Sequence, residues 1–391
     1  MKRFDSARLF SSALLLALAG ATAQGVASCA DSAAPSDAVL DAGPQPDSST
    51  IVATPDAPVT PPCTGDAWCA VAIPPAPVSL NGIWGSSKDD VWIVGSPDLT
   101  LHWDGAHLLS ANADTRQTQF GIWGSGKSDV WSFSTGNAMW HSAGFEDGGD
   151  GGAGWSLFDG ADGGGWPGSI SAMWGRSAND VWAVGPFAVG TPTIWHCDGW
   201  RNGAPEWAFV NTVAATDTEP AHPEPLSFNA IWGNANFEVW IVGMGGKTRY
   251  GSHLDTPPGT WTAVNSGTST DLNAVWGSPD GDVWAGGAGG TMRRFTRAAS
   301  GTWIASEVSL PTTATIFGLY GFAANDIWAV GSAGTLLHWD GSAWKLAVVP
   351  GDAAATDDLF AVWGSGPADV WAVGRNSLLH RGDAPLPRKS P

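Results

Sequence analysis

The histidines are the residues whose type and spacing most suggest chemistry, because imidazole nitrogens are common ligands of zinc. If seven repeats form a ring, equivalent positions at a radius of about 12–15 Å lie about 10–13 Å apart, whereas ligands that share one zinc lie about 3–4 Å apart. The spacing therefore argues against a shared metal and favours imidazoles that hydrogen-bond to neighbouring turns. Five histidines and two arginines fall at what reads as one repeated position: His102, His141, His196, Arg249, Arg294, His338 and His380.

A Gly- and Asp-rich insert in the second repeat carries the chemistry of a calcium ligand. Carboxylates on a loop suit a hard cation, but the run lacks the alternating Asp spacing and the closing Glu of a calcium-binding loop. We interpret it as a solvated acidic loop, with calcium as a weak alternative, and predict no cofactor. The candidate calcium ligands are Asp147, Asp150, Asp159 and Asp162.

Residues for hydrolysis or redox chemistry are scarce. A sialidase needs a Tyr nucleophile and a cluster of arginines, but Tyr250 and Tyr320 both replace repeat aromatics. Cys197 stands where other repeats have Trp, which favours a buried apolar thiol. No Gly-x-Ser-x-Gly elbow, phosphate loop or His-Glu-x-x-His motif occurs in the sequence. We therefore predict that the protein is not an enzyme.

These residues are set in a sevenfold repeat, in which a Trp-Gly corner is followed eight residues later by the Trp of Asp-Val-Trp-Ala-Val-Gly. The second Trp recurs after 39, 51, 58, 44, 44 and 43 residues, which is typical of one supersecondary unit copied seven times. We interpret all fourteen aromatics as structural. The pairs are Trp84 and Trp92, Trp123 and Trp131, Trp174 and Trp182, Trp232 and Trp240, Trp276 and Trp284, Tyr320 and Trp328, and Trp363 and Trp371.

Each repeat reads as four short antiparallel strands with tight turns, which is a propeller blade. The 52 glycines and the 14% of charged residues fit this all-β class. Three local expectations follow. The two repeat Trp residues face each other across a hairpin, the acid before the second Trp satisfies turn amides, and the Gly after each strand adopts a positive φ.

The last repeat lacks a fourth strand, whereas residues 67–73 resemble one. We therefore predict a seven-bladed β-propeller over residues 63–382, closed by residues 67–73 as the outer strand of the blade built from 358–382. The repeats start near residues 80, 120, 170, 228, 272, 315 and 358. Residues 383–391 are predicted to be a disordered tail. In an exported protein Cys63 and Cys69 are predicted to form a disulfide.

Repeat five, with Leu-Asn-Ala-Val-Trp-Gly at 272–277 and Asp-Val-Trp-Ala-Gly-Gly at 282–287, resembles photosystem II assembly factor-like and sialidase-type (BNR) propellers. The spelling with His-Trp-Asp-Gly at 338–341 resembles bacterial propeller lipoproteins. The resemblance covers roughly residues 64–382 and implies the fold. Of the sialidase Asp-box only Asp-Gly-x-x-Trp remains, as at 340–344, so no activity or photosynthetic partner is implied.

The N-terminus indicates export. Lys2, Arg3 and Arg8 precede an apolar run over 9–23 that is too short to span a bilayer, which is typical of a signal peptide. Val-Ala-Ser-Cys at 26–29 matches a lipobox with Cys29 as the lipidated residue, while Ala-Thr-Ala at 21–23 is an alternative cleavage site. We favour a signal peptide over 1–28 and a disordered tether over 29–62, whose composition cannot form a core.

The formal net charge of −19 repels phosphate backbones, so we expect no nucleic-acid partner. The sequence predicts a non-catalytic binding or scaffold module, assumed monomeric, attached to the outer membrane or cell surface by its lipid anchor only. The alternative localisation is that of a secreted or periplasmic soluble protein. The expected partner is an envelope protein or a glycan, with the inserts at 142–169 and 200–227 as candidate surfaces. The alternatives are a lectin, or a glycan- or lactone-acting hydrolase with its site at the propeller's central mouth.

Overall fold

The Trp-Gly and Asp-Val-Trp segments of every repeat pair as antiparallel strands. In the computed structural model the two repeat aromatics are direct cross-strand partners in all seven repeats, from Trp84 with Trp92 to Trp363 with Trp371. The predicted hairpin register is therefore confirmed. The structure describes residues 67–74, 77–111, 117–134, 138–145, 154–158, 168–188, 191–212, 224–255, 259–279, 281–349, 357–383 and 386.

The described part of the chain forms seven four-stranded antiparallel sheets. Two single-turn 3₁₀ helices, Met244–Gly246 and Ala288–Gly290, interrupt the strand pattern. The strands are β1 (Trp68–Ala70), β2 (Ser79–Ser87), β3 (Asp90–Ser96), β4 (Leu99–Trp103), β5 (Leu108–Ser110), β6 (Gln119–Gly126), β7 (Asp129–Ser134), β8 (Met139–Ser142), β9 (Trp155–Phe158), β10 (Ala172–Ser177), β11 (Asp180–Val184), β12 (Ile194–Arg201), β13 (Ala204–Phe209), β14 (Phe228–Gly233), β15 (Val239–Gly243), β16 (Thr248–Ser252), β17 (Thr260–Ala263), β18 (Leu272–Gly277), β19 (Val283–Gly287), β20 (Met292–Arg297), β21 (Trp303–Glu307), β22 (Ile316–Ala323), β23 (Asp326–Gly331), β24 (Leu336–Trp339), β25 (Trp344–Leu346), β26 (Leu359–Gly366), β27 (Asp369–Gly374) and β28 (Ser377–Arg381).

Blades one to six take four consecutive strands each, from β2–β5 to β22–β25, and blade seven combines β26, β27 and β28 with β1. This arrangement confirms the predicted all-β, seven-bladed propeller and its closure by an N-terminal strand. Trp68 pairs with Arg381 and Ala70 with Leu379. The closing strand is shorter than predicted, because β1 ends at Ala70. Leu386, within the stretch predicted as a disordered tail, is buried.

The second Trp of each repeat fills the space between its own blade and the next one. These seven side chains are between 0% and 4% exposed. Trp92 packs on Trp155 of blade two with ring centroids 5.6 Å apart, and Trp284 packs on Trp339 of blade six at 4.9 Å. At the closure Trp328 packs on Trp68 at 5.1 Å, so Trp68 serves as the fourth-strand aromatic of blade seven. Large flat side chains suit these wedges because each one buries roughly 150–250 Å².

The sequence suggested that glycine is needed for a positive φ. At each Trp-Gly corner it is needed instead because a side chain of the neighbouring blade leaves no room for a Cβ. In six of the seven blades the six-membered ring of the preceding blade's first Trp lies against this glycine, and these glycines are absent from the positive-φ set. The contacts form a closed circle around the propeller. They join Trp84 to Gly124, Trp123 to Gly175, Trp174 to Gly233, Trp232 to Gly277, Trp276 to Gly321 and Trp363 to Gly85, while Phe322 contacts Gly364.

Gly124→Ala should therefore destabilise the fold, whereas Gly126→Ala in the same strand should not. A Cβ at Gly124 would lie 2.5 Å from the Trp84 ring and 2.6 Å from the Asp129 carbonyl oxygen, while one at Gly126 meets nothing within 4 Å. We expect a loss of about 1–3 kcal/mol for Gly124→Ala, the usual cost of overpacking. Urea unfolding of both variants measures the difference, and equal stabilities would contradict the packing role of the corner.

Candidate functional site

The repeat histidines bind the acid that begins the second strand of their own blade. Nε2 of His102 lies 2.7 Å from Oδ1 of Asp90, and five blades share this pair. The acid therefore binds a third-strand side chain, and, of the turn amides that the sequence suggested, Asp369 accepts that of Ser365. The five pairs are Asp90 with His102, Asp129 with His141, Asp180 with His196, Asp326 with His338, and Asp369 with His380.

The two remaining blades use other donors at the same position. In blade five Arg294 donates to Asp282 from Nε at 2.8 Å. In blade four Tyr250 donates to Glu238, and Tyr250 is the cross-strand partner of Trp240. Arg249, which the sequence analysis aligned with the histidines, is thus one residue out of register. It lies on the opposite face of its strand and pairs with Glu224 at 2.6 Å.

The acid lies at the centre of each network, and that order limits the chemistry. In blade one Ser86 Oγ donates to Asp90 Oδ2 at 2.5 Å and the Trp92 indole donates to Oδ1 at 3.2 Å. A nucleophilic triad requires the histidine between hydroxyl and carboxylate, so that the imidazole accepts the hydroxyl proton. Here the serine binds the carboxylate directly, and the arrangement does not activate it as a nucleophile. The networks tie the first three strands of a blade together.

The carboxylates of four of these networks, those of Asp90, Asp129, Asp180 and Asp369, are held in their charged form. Burial would raise the pKa of Asp90, but hydrogen bonds from His102, Ser86 and Trp92 lower it below the ordinary value of 3.8. The pKa values of Asp129, Asp180 and Asp369 are lowered in the same way, with Arg176 contributing at Asp180.

The propeller should consequently lose stability in acid. A group whose folded pKa is depressed stabilises the fold fully above its unfolded pKa, and the contribution is lost as the pH falls through the folded pKa. We expect the urea midpoint to hold from pH 7 to about pH 5 and to fall as the pH drops below about 4. Asp90→Asn should cost about 1–3 kcal/mol at pH 7 and flatten this acid limb. Asp89→Asn, at the exposed adjacent residue, is the matched control and should change neither.

The spare thiol and the tyrosines are also inert. Cys197 is fully buried, its Sγ donates to the Gly199 carbonyl, and burial raises its pKa to about 11. Burial and the carboxylate of Glu238 raise the pKa of Tyr250 to about 12. Burial also raises the pKa of Tyr320. None of these groups has the lowered pKa of an activated nucleophile.

Several of the predicted site residues lie outside the described part of the chain. These are Cys29, Cys63 and the candidate calcium ligands Asp147, Asp150, Asp159 and Asp162. Cys69 is disulfide-bonded, but its pairing with Cys63 stays a prediction. Within the described residues no group of three or more His, Cys, Asp or Glu side chains could hold a metal ion. Over the same ranges no helix is long and apolar enough to span a bilayer.

The arrangement that sequence reasoning missed is a ring of uncharged side chains around the propeller axis. The first strand of each blade has one partner in its own sheet and contacts the first strands of both adjacent blades. In six blades a β-bulge frees one residue of this strand, three positions before the first repeat aromatic, and Ser171 has the same offset in blade three. We call this set the axial ring: Asn81, Phe120, Ser171, Asn229, Asn273, Phe317 and Phe360.

The amides of the axial ring connect adjacent blades. Nδ2 of Asn81 donates to the carbonyl oxygen of Gln119 at 2.8 Å, and Nδ2 of Asn273 donates to that of Ile316 at 3.2 Å. Nδ2 of Asn229 donates to Leu272 in the same way at 3.0 Å. Each of these amides therefore uses at least one N–H group between blades. Asn81 Oδ1 accepts from Ser79 Oγ at 2.7 Å and Asn273 Oδ1 accepts from Asn229 Nδ2 at 3.3 Å, so each of these two carbonyl oxygens keeps one lone pair for a ligand.

The phenylalanines supply the apolar part of the axial ring. The rings of Phe317 and Phe360 lie 5.9 Å apart on adjacent blades, and Phe120 is 43% exposed. The axial ring thus combines the exposed Phe120 and the half-buried Phe317 and Phe360 with carbonyl acceptors, and holds no charge. The signal in the sequence was the variable middle residue of an apolar-x-small motif that precedes the first aromatic in six repeats, while repeat two has Gln119 at the apolar position.

Among the described residues, two clefts are lined by residues outside the axial ring. One of about 540 Å³ is lined by Glu224, Lys247, Arg249 and Ser266, where the second insert returns to blade four. In this cleft the Arg249 guanidinium is neutralised by Glu224, to which it donates from Nε and Nη2 at 2.6 and 2.7 Å. The other, of about 500 Å³, lies between blades seven and one beside Trp103.

Comparison with solved structures finds other propellers. YCF48 bound to a D1 peptide aligns with a TM-score of 0.60 at 17% identity, covering 82% of this chain and 99% of that one. YCF48 from Cyanidioschyzon merolae gives 0.59 at 16% identity, with 81% and 98% covered. The WD40 propeller domain of Doa1 gives 0.57 at 11% identity, with 81% and 96% covered. No family model and no curated protein matches the sequence. At these identities the likeness extends to the fold, which is that of a seven-bladed β-propeller similar to YCF48.

Proposed function

We propose that this chain is a non-catalytic binding propeller that holds a protein partner at the bacterial cell envelope. The observation that carries the proposal is the way the repeat acids, histidines and arginines are used. In six blades the acid binds a histidine or an arginine inside the sheet, and in blade four Glu238 binds Tyr250 instead. No charged side chain stands on the axial ring. The uncharged aromatic and amide surface that results suits recognition and not bond cleavage.

The two rival functions meet specific objections. A hydrolase at the central mouth would need acidic or basic side chains from several blades to converge there, and the axial ring holds none. A lectin with one sugar per blade would expose its repeat aromatics, but the second Trp residues are at most 4% exposed. The structural similarity to YCF48, which was solved with a bound D1 peptide, supports a protein ligand, although similarity of fold alone identifies no partner.

Immobilised protein exposed to envelope extract tests this function, in parallel with a glycan array. We expect a protein that is captured saturably and displaced by excess soluble propeller, and no glycan signal. Specific glycan binding without a competable protein would contradict the proposal and favour the lectin. Turnover of a glycan or lactone substrate by the purified protein would favour the hydrolase.

The proposed attachment to the envelope depends on Cys29. Cys29→Ala should move the protein from the membrane fraction to the soluble fraction, because an acyl anchor contributes about 0.8 kcal/mol per buried CH₂ and the acidic domain has little affinity for a membrane surface. Cys197→Ala, at the buried thiol, is the matched control and should remain with membranes. Fractionation with immunoblotting measures both. A mature N-terminus at Gln24 would contradict lipidation and favour a soluble exported protein.

A further inference from the structure

We infer that the axial ring is the binding site and that it takes a lysine or arginine side chain of the protein partner. This inference rests on the proposed function and adds the place and the chemistry of recognition. A cation on an apolar stem matches both halves of the ring, since the stem packs on the phenylalanines while the charged end meets aromatic faces and carbonyl oxygens.

The donor and acceptor pattern of the axial ring selects a donor as ligand. Asn229 Nδ2 is directed to Leu272 and also lies 3.3 Å from Asn273 Oδ1, so both of its amide hydrogens have acceptors. Asn81 and Asn273 each use one amide hydrogen between blades. The carbonyl oxygens of Asn81, Asn229 and Asn273 retain lone pairs, and a lysine or arginine carries only donors. A carboxylate ligand would face these carbonyl oxygens and would have only the second amide hydrogens of Asn81 and Asn273 as donors.

The surroundings of the axial ring favour positive charge. We define the upper face as the loops between second and third strands together with the segments that lead into the first strands. Asp271 and Asp358 come directly before β18 and β26, two residues from Asn273 and Phe360 of the axial ring. These acids accept loop N–H groups of Gly245 and Ala333 at 2.7 and 2.9 Å, which fixes them on this face.

Acidic residues also outnumber basic ones over the described part of the upper face. Arg249 is neutralised by Glu224, and Arg375 lies 4.0 Å from Asp358. The net charge of −19 adds a long-range attraction for basic partners. The acids of the upper face are Asp98, Glu224, Asp271, Asp357 and Asp358, and its basic residues are Lys247, Arg249 and Arg375.

Short synthetic peptides test the inference on the mature protein. The probe carries three lysines separated by Gly-Ser spacers, and two matched probes replace the lysines by norleucine or glutamate. By fluorescence anisotropy at physiological ionic strength we expect the lysine probe to bind at least about tenfold more tightly than either matched probe. The neutral probe keeps the apolar stem, so it separates cation recognition from hydrophobic contact.

Variants locate the site. Phe317→Leu with Phe360→Leu keeps apolar side chains but removes two aromatic faces, and should weaken lysine-probe binding about threefold to tenfold. Phe120→Leu, at the most exposed phenylalanine of the ring, should weaken it about twofold to fivefold and serves if the double variant does not fold. Phe209→Leu is the control, because Phe209 is 53% exposed on the outer strand of blade three.

Each outcome decides the matter. The inference would be overturned if the norleucine probe bound as tightly as the lysine probe. It would also be overturned if the axial-ring variants left the affinity for the lysine probe unchanged while Phe209→Leu lowered it. If the axial-ring variants capture the envelope partner as well as the unaltered protein does, the axial ring is not the binding site, while the function as a binding propeller stands. If no envelope protein is captured at all, the function itself fails, whatever the probes show.

Discussion

Deleting residues 63–75 should cost more than about 5 kcal/mol and leave the propeller largely unfolded or aggregated. The deletion removes β1, whose residues pair with Arg381, His380 and Leu379 at the far end of the sequence. It also removes Trp68, which is 2% exposed and packs on Trp328. Loss of one buried Trp costs about 3–5 kcal/mol, and an open β28 edge exposes unpaired backbone. Since whole domains are stable by only about 5–15 kcal/mol, this loss is decisive.

A deletion of equal length in the predicted tether, residues 40–52, provides the control and should leave the melting temperature unchanged. Thermal unfolding followed by Trp fluorescence compares the two proteins. A synthetic peptide of residues 63–75 should restore the shortened protein when added in trans, and the same peptide with Trp68→Ala should restore it poorly. A shortened protein that melts at the original temperature would show that the ring does not depend on β1.

The sequence was sufficient for the architecture because the repeat carries its own register. Eight residues between the two aromatics allow one hairpin in which they face each other, and Trp84 and Trp92 do so. The closure was predictable for a related reason. A fourth strand was missing after Leu379 and a spare one, around Trp68, preceded the first repeat. Long-range pairing could be inferred here because each blade specifies what the others must contain.

Pairing inside a blade was harder to infer. The histidine position of blade four was assigned to Arg249, but Tyr250 faces Trp240 and Arg249 lies on the opposite side of the strand. An error of one residue moves a side chain to the other face of a sheet, and two adjacent polar residues give no signal to choose between them. The correct assignment needs the partner, which is Glu238 for Tyr250 and Glu224 for Arg249.

The axial ring and the Trp-Gly contacts were not predictable because each arises between blades. A bulge at Phe120 or Phe317 breaks the twofold alternation by one residue, and an alternating pattern cannot reveal which residue is freed. Likewise the glycine at Gly124 is explained by Trp84 of the preceding blade, about forty residues away. A sequence repeat predicts the strands of one blade well. The contacts between blades become visible only in the structure of the closed ring.

Trp284→Ala should destabilise the propeller by about 3–5 kcal/mol, the cost of truncating a large aromatic in a packed core. Trp284 is fully buried and its ring lies 4.9 Å from that of Trp339 and 5.9 Å from that of Trp344. The Arg294 guanidinium lies over the same ring at 5.3 Å. The truncation therefore opens a cavity between blades five and six. At about 2–4 °C per kcal/mol, the melting temperature should fall by about 6–20 °C.

Leu346→Ala is the matched control, since Leu346 is 57% exposed on the outer strand of blade six and its truncation should shift the melting temperature by no more than about 2 °C. Affinity for the lysine probe should survive Trp284→Ala at temperatures where the variant remains folded, because Trp284 lies between blades and away from the axial ring. A Trp284→Ala protein that kept its melting temperature but lost a ligand would show that this Trp is a binding residue. The structural interpretation of the whole repeat would then be wrong, because the other six second-position Trp residues share its burial and register.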